Sequence, residues 1–170
     1  MKRNRLIITL LLVVMLTVAV TSTALANKRL YKARLSASAE LHEVIDSSAS
    51  GSAIVARRPQ GFDFQMFVRG LSGPATAAHI HGPASETETA SPVLTLCGGP
   101  APALFATCDS VFDPATGKYQ LQIQGSLSPA LLRGITPAEF DDMLEAGLTY
   151  VNVHTSLNPA GETRGQLIRQ

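Results

Sequence analysis

Four histidines, His42, His79, His81 and His154, are the residues whose type and spacing could do chemistry in this chain. His79 and His81 stand two apart in Ala78-His79-Ile80-His81. On a strand that spacing puts both imidazoles on one face. His154 lies in Tyr150-Val151-Asn152-Val153-His154-Thr155, where alternation groups it with Tyr150 and Asn152 and away from Val151 and Val153. If the two strands pair or face each other, three imidazoles converge. Three neutral imidazoles are a common ligand set for copper or zinc, and copper is the ion expected here, with zinc as the alternative. Ligation asks for nitrogens about 3–3.5 Å apart, given metal–nitrogen bonds of ~2 Å.

The competing reading is structural. Imidazoles can hydrogen-bond backbone or carboxylate in a polar network that fixes strand register, and Asn152, Glu162 and Arg164 stand close enough in the motifs to build one. Glu162 and Arg164, also two apart, are expected to share a strand face. They are read as an anchor or ion pair under the turn Asn158-Pro159-Ala160-Gly161, rather than as an acid and an anion-binding cation. His42 sits in a polar, loop-like stretch and is expected to be exposed rather than a fourth ligand.

The elements that must position these residues read mostly as strands. Candidates are 33–39, 51–56, 62–68, 76–81, 93–96, 110–112, 118–124, 149–155 and 163–169. In 62–68 the residues Phe62, Phe64, Met66 and Val68 fall on one face, and Phe67 breaks the pattern and is expected to be covered by a loop. Asp113-Pro114-Ala115-Thr116-Gly117 joins two runs as a hairpin turn, with Tyr119, Leu121 and Ile123 on one face of its second arm. One helix is expected after Thr136-Pro137-Ala138-Glu139, which offers an N-cap, a proline at the first helical position and a capping-box glutamate. Gly147 stops it, and a helical turn near 129–133 carries a weaker signal. Short strands, many Gly and Pro and a single helix in a connection predict an all-β fold, a Greek-key β-sandwich or barrel.

Lys2, Arg3 and Arg5, an apolar run over 6–20 and Ala24-Leu25-Ala26 form the pattern of a cleavable secretory signal over residues 1–26, leaving one domain over 27–170. The alternative is an uncleaved membrane anchor, for which the run is somewhat short of a ~20-residue span. The signal holds three of the fourteen basic residues and none of the thirteen acidic ones, so the exported part carries a net charge of −2. That is no footprint for nucleic acid. A secreted, periplasmic or otherwise extracytoplasmic location follows, with the membrane touched only through the signal segment. In an oxidising compartment Cys97 and Cys108, a lone pair around a Gly/Pro/Ala-rich loop, read as a disulfide, worth up to ~3 kcal/mol. Their spacing excludes a CxxC redox site. GxSxG, HExxH, Walker and Rossmann patterns are absent, and so is Trp, which argues against a carbohydrate-stacking platform.

Three ordered segments carry a resemblance: Ala78-His79-Ile80-His81-Gly82-Pro83-Ala84, Tyr150-Val151-Asn152-Val153-His154-Thr155, and Asn158-Pro159-Ala160-Gly161-Glu162-Thr163-Arg164-Gly165-Gln166-Leu167. Together with Gly70-Leu71 and Ala146-Gly147 they resemble the CHRD domain, the module named after chordin and found in many exported bacterial proteins. Two departures are visible. Glu43-Val44-Ile45-Asp46 stands where members commonly carry Glu-Val-Pro-Pro, and the loop after Ala84 is lengthened and holds the cysteines. The resemblance implies an extracytoplasmic β-sandwich or barrel and no particular activity.

Three functions remain. The first is a non-enzymatic module binding copper or zinc through His79, His81 and His154. The second is an interaction or envelope-associated module, with another exported or cell-envelope protein as partner and a structural histidine cluster. The third is an enzyme of the superoxide dismutase type, by analogy with the His-x-His of copper–zinc dismutases. It ranks last, because Arg164 is the one candidate to guide an anion and a second metal site of His and Asp is not evident.

Overall fold

The structure, a computed structural model, describes residues 29–170; the signal expected over 1–26 lies outside them. The strands are β1 (Leu30–Ser36), β2 (Ser50–Arg58), β3 (Gly61–Leu71), β4 (Ala75–His81), β5 (Pro92–Gly98), β6 (Ala103–Phe105), β7 (Val111–Asp113), β8 (Lys118–Leu127), β9 (Tyr150–Thr155), β10 (Thr163–Gln166) and β11 (Ile168–Arg169). One helix, α1 (Pro137–Glu145), lies in the connection from β8 to β9. Among the described residues the expected all-β class with a single short helix is what forms.

The eleven strands of the described residues join one curled sheet in the order β6-β5-β4-β9-β10-β1-β2-β3-β8-β7, with β11 on β1. Pairing is antiparallel except between β5 and β6, so the sheet is mixed. The curl follows from burial. Alternate residues of β3 (Phe62, Phe64, Met66, Val68), β8 (Leu121, Ile123), β4 (Ala78, Ile80) and β9 (Val151, Val153) share one apolar core, and a flat sheet could not bring both halves onto it. The two ends of the strand order come together: a Cβ on Gly125 of β8 would stand 3.2 Å from Leu104 of β6.

Local chemistry explains the helix. Thr136 accepts from Glu139 N while the Glu139 carboxylate accepts from Thr136 N at 2.7 Å, a complete capping box with Pro137 at the first position. Phe140 and Leu144 then fall on one face and are fully buried, and Phe140 meets Phe62 edge-on with centroids 5.0 Å apart. Ser128 caps a short 3-10 turn at Pro129–Leu131.

Three expectations are corrected. Phe67 is not covered by a loop but 42% exposed, because alternation puts it on the outer face of β3 with Gln65 and Arg69. The first strand begins earlier and ends at Ser36, where Ala37–Ala39 turns as a 3-10 helix. Strand β6 went unread: it is three residues inside the Gly/Pro-rich loop and pairs in parallel with β5.

Candidate metal centre

Alternation places the histidines. In β4, Ala78 and Ile80 enter the core, so His79 and His81 point to the opposite face. In β9, Val151 and Val153 enter the core, and Tyr150, Asn152 and His154 take that same opposite face. The two strands pair antiparallel, with His79 opposite Asn152, His81 opposite Tyr150 and Ala77 opposite His154. His154 is therefore the diagonal neighbour of His79. The imidazoles of His79, His81 and His154 converge, each offering a ligand nitrogen within 4.8 Å of the others. Ring centroids are 5.0 Å apart for His79 and His154, 5.6 Å for His79 and His81, and 6.2 Å for His81 and His154.

The hydrogen bonds say which nitrogens are free. His81 Nδ1 is 2.8 Å from Ala90 O and His154 Nδ1 is 3.0 Å from Pro159 O. A carbonyl only accepts, so both rings carry their proton on Nδ1 and present a bare Nε2. The Nε2 of His154 lies 3.2 Å from Nδ1 of His79, within the spacing of about 3–3.5 Å that ligation of one ion requires, whereas the three nitrogens as a set lie within a wider 4.8 Å. The Nε2 of His81 is buried with no hydrogen-bond partner. Two imidazoles braced by backbone carbonyls have the outer support that metal-binding histidines usually have.

Burial sets the protonation state. The imidazoles of His79 and His81 are pushed down to about 4, by desolvation first and then by neighbouring positive charge. For His81 the bond to Ala90 opposes the shift. Burial lowers His154 as well. All three are therefore neutral at neutral pH, the form that ligates. His81 is 7% exposed, while His79 and His154 are half-buried, so the cluster opens to solvent on their side.

The surroundings hold the site in shape. Tyr150 stacks on His81 with centroids 4.7 Å apart and planes 8° apart, and the Arg164 guanidinium sits 3.6 Å from the Tyr150 ring centre. Arg164 also donates to Ser85 O and Glu88 O. It is 2% exposed, so it is no guide for an incoming anion. Asn152 donates to Glu40 at 3.0 Å, and Gly161 leaves room for that bond: a Cβ there would meet Asn152 at 2.8 Å and Glu40 at 2.9 Å. His42 is exposed, lies 3.1 Å from Gly161 O and is not one of the converging three.

Glu162 and Arg164 do not act as a pair. The Glu162 carboxylate accepts from Ser47 Oγ, from Ser72 N and Oγ and from Thr155 Oγ1, and is fully buried. Arg164 keeps to Tyr150 and the 85–88 loop, and the regular strand begins only at Thr163, between the two. The expected anchor under the Asn158 turn is present, but Glu162 supplies it alone. Cys97 and Cys108 are bonded, their Cα atoms 5.0 Å apart.

The CHRD domain family model matches residues 31–167. The chain belongs to the CHRD domain family. Comparisons with curated proteins and with solved structures find no match. All three converging histidines fall inside the matched region, on the segments that carry the CHRD resemblance. Tyr150, Ala90, Pro159 and Gly161 complete the site, and sequence reasoning gave none of them a part in it. Tyr150 had a signal in its shared face with His154, and Pro159 and Gly161 stood in the expected turn; Ala90 and Pro159 act through backbone carbonyls, which residue type does not encode.

Proposed function

We propose that this CHRD protein is an exported, non-enzymatic module that binds one transition-metal ion through His79, His81 and His154. Copper is the favoured ion and zinc the alternative, since imidazole suits both and copper stands highest in the affinity order of the divalent series. The observation that carries the reading is the buried, unpartnered Nε2 of His81 beside two further neutral imidazoles. An unpaired buried polar atom costs about 1–3 kcal/mol; His81 Nε2 is one of eight such side-chain atoms among the described residues, and its place beside two further neutral imidazoles sets it apart. A coordinated ion removes that cost. Export is supported by the N-terminal signal pattern and the disulfide, which belongs to an oxidising compartment.

Equilibrium dialysis against copper and against zinc tests the reading. The wild-type protein should retain about one equivalent, and His79→Ala with His81→Ala should lower affinity at least about a hundredfold. Equal retention by both proteins would refute it.

A further inference from the structure

The third imidazole differs from the other two. His81 and His154 are turned by carbonyl acceptors so that Nε2 faces the centre. His79 has no such carbonyl, and it faces His154 with Nδ1. Its Nε2 points the other way, to the first turn of the disulfide loop, where a Cβ on Gly99 would lie 3.3 Å from it. That turn is fixed on several sides. Gly98 and Gly99 hold φ of +60° and +71°, and a Cβ at Gly98 would strike Thr76 O of β4. Cys97, beside them, pairs with Ala78 and is bonded to Cys108. Arg133 donates to Pro100 O of the same loop.

Because His154 Nε2 is bare, the His79–His154 bond needs the His79 proton on Nδ1 in the metal-free protein. An ion bound at that position takes the Nδ1 lone pair, so the proton must sit on Nε2. The atoms balance within the ring: Nδ1 loses one proton, Nε2 gains one through solvent, and the imidazole stays neutral. Gly99 leaves room for the Nε2–H.

Resting on the metal-binding reading above, we propose that His79 ligates through Nδ1 while His81 and His154 ligate through Nε2, and that the Cys97–Cys108 loop is the device that positions His79 for this. The set is then two Nε2 and one Nδ1. Only the His79 ring changes tautomer on loading.

Long-range proton–nitrogen NMR on the full protein labelled with 15N-histidine, with and without zinc(II) as a diamagnetic probe, decides the matter; four histidines make assignment by single substitution practical. Expected in the metal-free protein are Nδ1–H tautomers at all three rings. With zinc, His79 should become Nε2–H with a metal-shifted Nδ1, while His81 and His154 keep Nδ1–H with metal-shifted Nε2. Zinc-shifted Nε2 at all three rings would overturn this inference and leave the function standing. No zinc response at any of the three would remove both. In Cys97→Ala with Cys108→Ala, zinc affinity should fall about tenfold, with the His79 signature lost or split and those of His81 and His154 retained. Unchanged affinity and an unchanged His79 signature would show that the loop does not position the ligand. If that variant does not fold, the wild-type spectra still decide the ligation mode.

Discussion

Two polar clusters flank β9, and they are built to opposite ends. Around Glu162 every visible capacity is used: two serines, a threonine and a backbone amide all donate to a fully buried carboxylate. Around His81 capacity is left over: one nitrogen is braced by Ala90 O and the other, buried, has no partner. A saturated cluster locks loops together. An unsaturated one, neutral and open on one side, suits a guest that brings its own positive charge. Chemistry-bearing residue types alone do not separate the two; the balance of donors against acceptors does.

Removing the saturated cluster should cost most. Glu162→Ala strands four donors from three segments, which predicts a loss of about 3 kcal/mol or more and a melting temperature lower by on the order of 10 °C in thermal unfolding. A shift of a degree or two would show that water replaces the carboxylate easily and would weaken the contrast. Cys97→Ala with Cys108→Ala comes next, with up to ~3 kcal/mol lost in denaturant titration of the metal-free protein.

The unsaturated cluster predicts a pH dependence of its own. In the fold His79 and His81 titrate at about 4, against 6.5 in an open chain. Between those values the unfolded chain binds more protons, so stability rises with pH. The contribution of the neutral imidazoles is complete above pH 6.5 and is lost progressively as pH falls toward 4. Melting curves of metal-free protein across that window should show the loss, and His79→Ala with His81→Ala should flatten it. An equal slope in the variant would assign the effect to other groups. The smallest effect is expected at Phe67, which serves neither cluster: Phe67→Ser should change stability by no more than about 0.5 kcal/mol, read by the same unfolding curves.

How far the sequence reaches follows the same division. The capping box at Thr136 was legible because all its partners lie within four residues. So was the common face of His79 and His81, since period-two alternation is local. The diagonal placing of His154 was not, because it depends on the register of β4 against β9 and on the irregularity between Ala75 and Ala77. The free nitrogens were invisible for a related reason: Ala90 and Pro159 act through carbonyls brought in by loop folding. The separate roles of Glu162 and Arg164 were missed because alternation was extended to Glu162, one residue before the strand begins.

X-ray absorption on the copper-loaded wild-type protein tests the central claim most directly. Convergence of His79, His81 and His154 on one ion predicts three imidazole nitrogens at about 2.0 Å, reduced to one in His79→Ala with His81→Ala. Copper bound without imidazole scattering, or an unchanged spectrum in that variant, would contradict it.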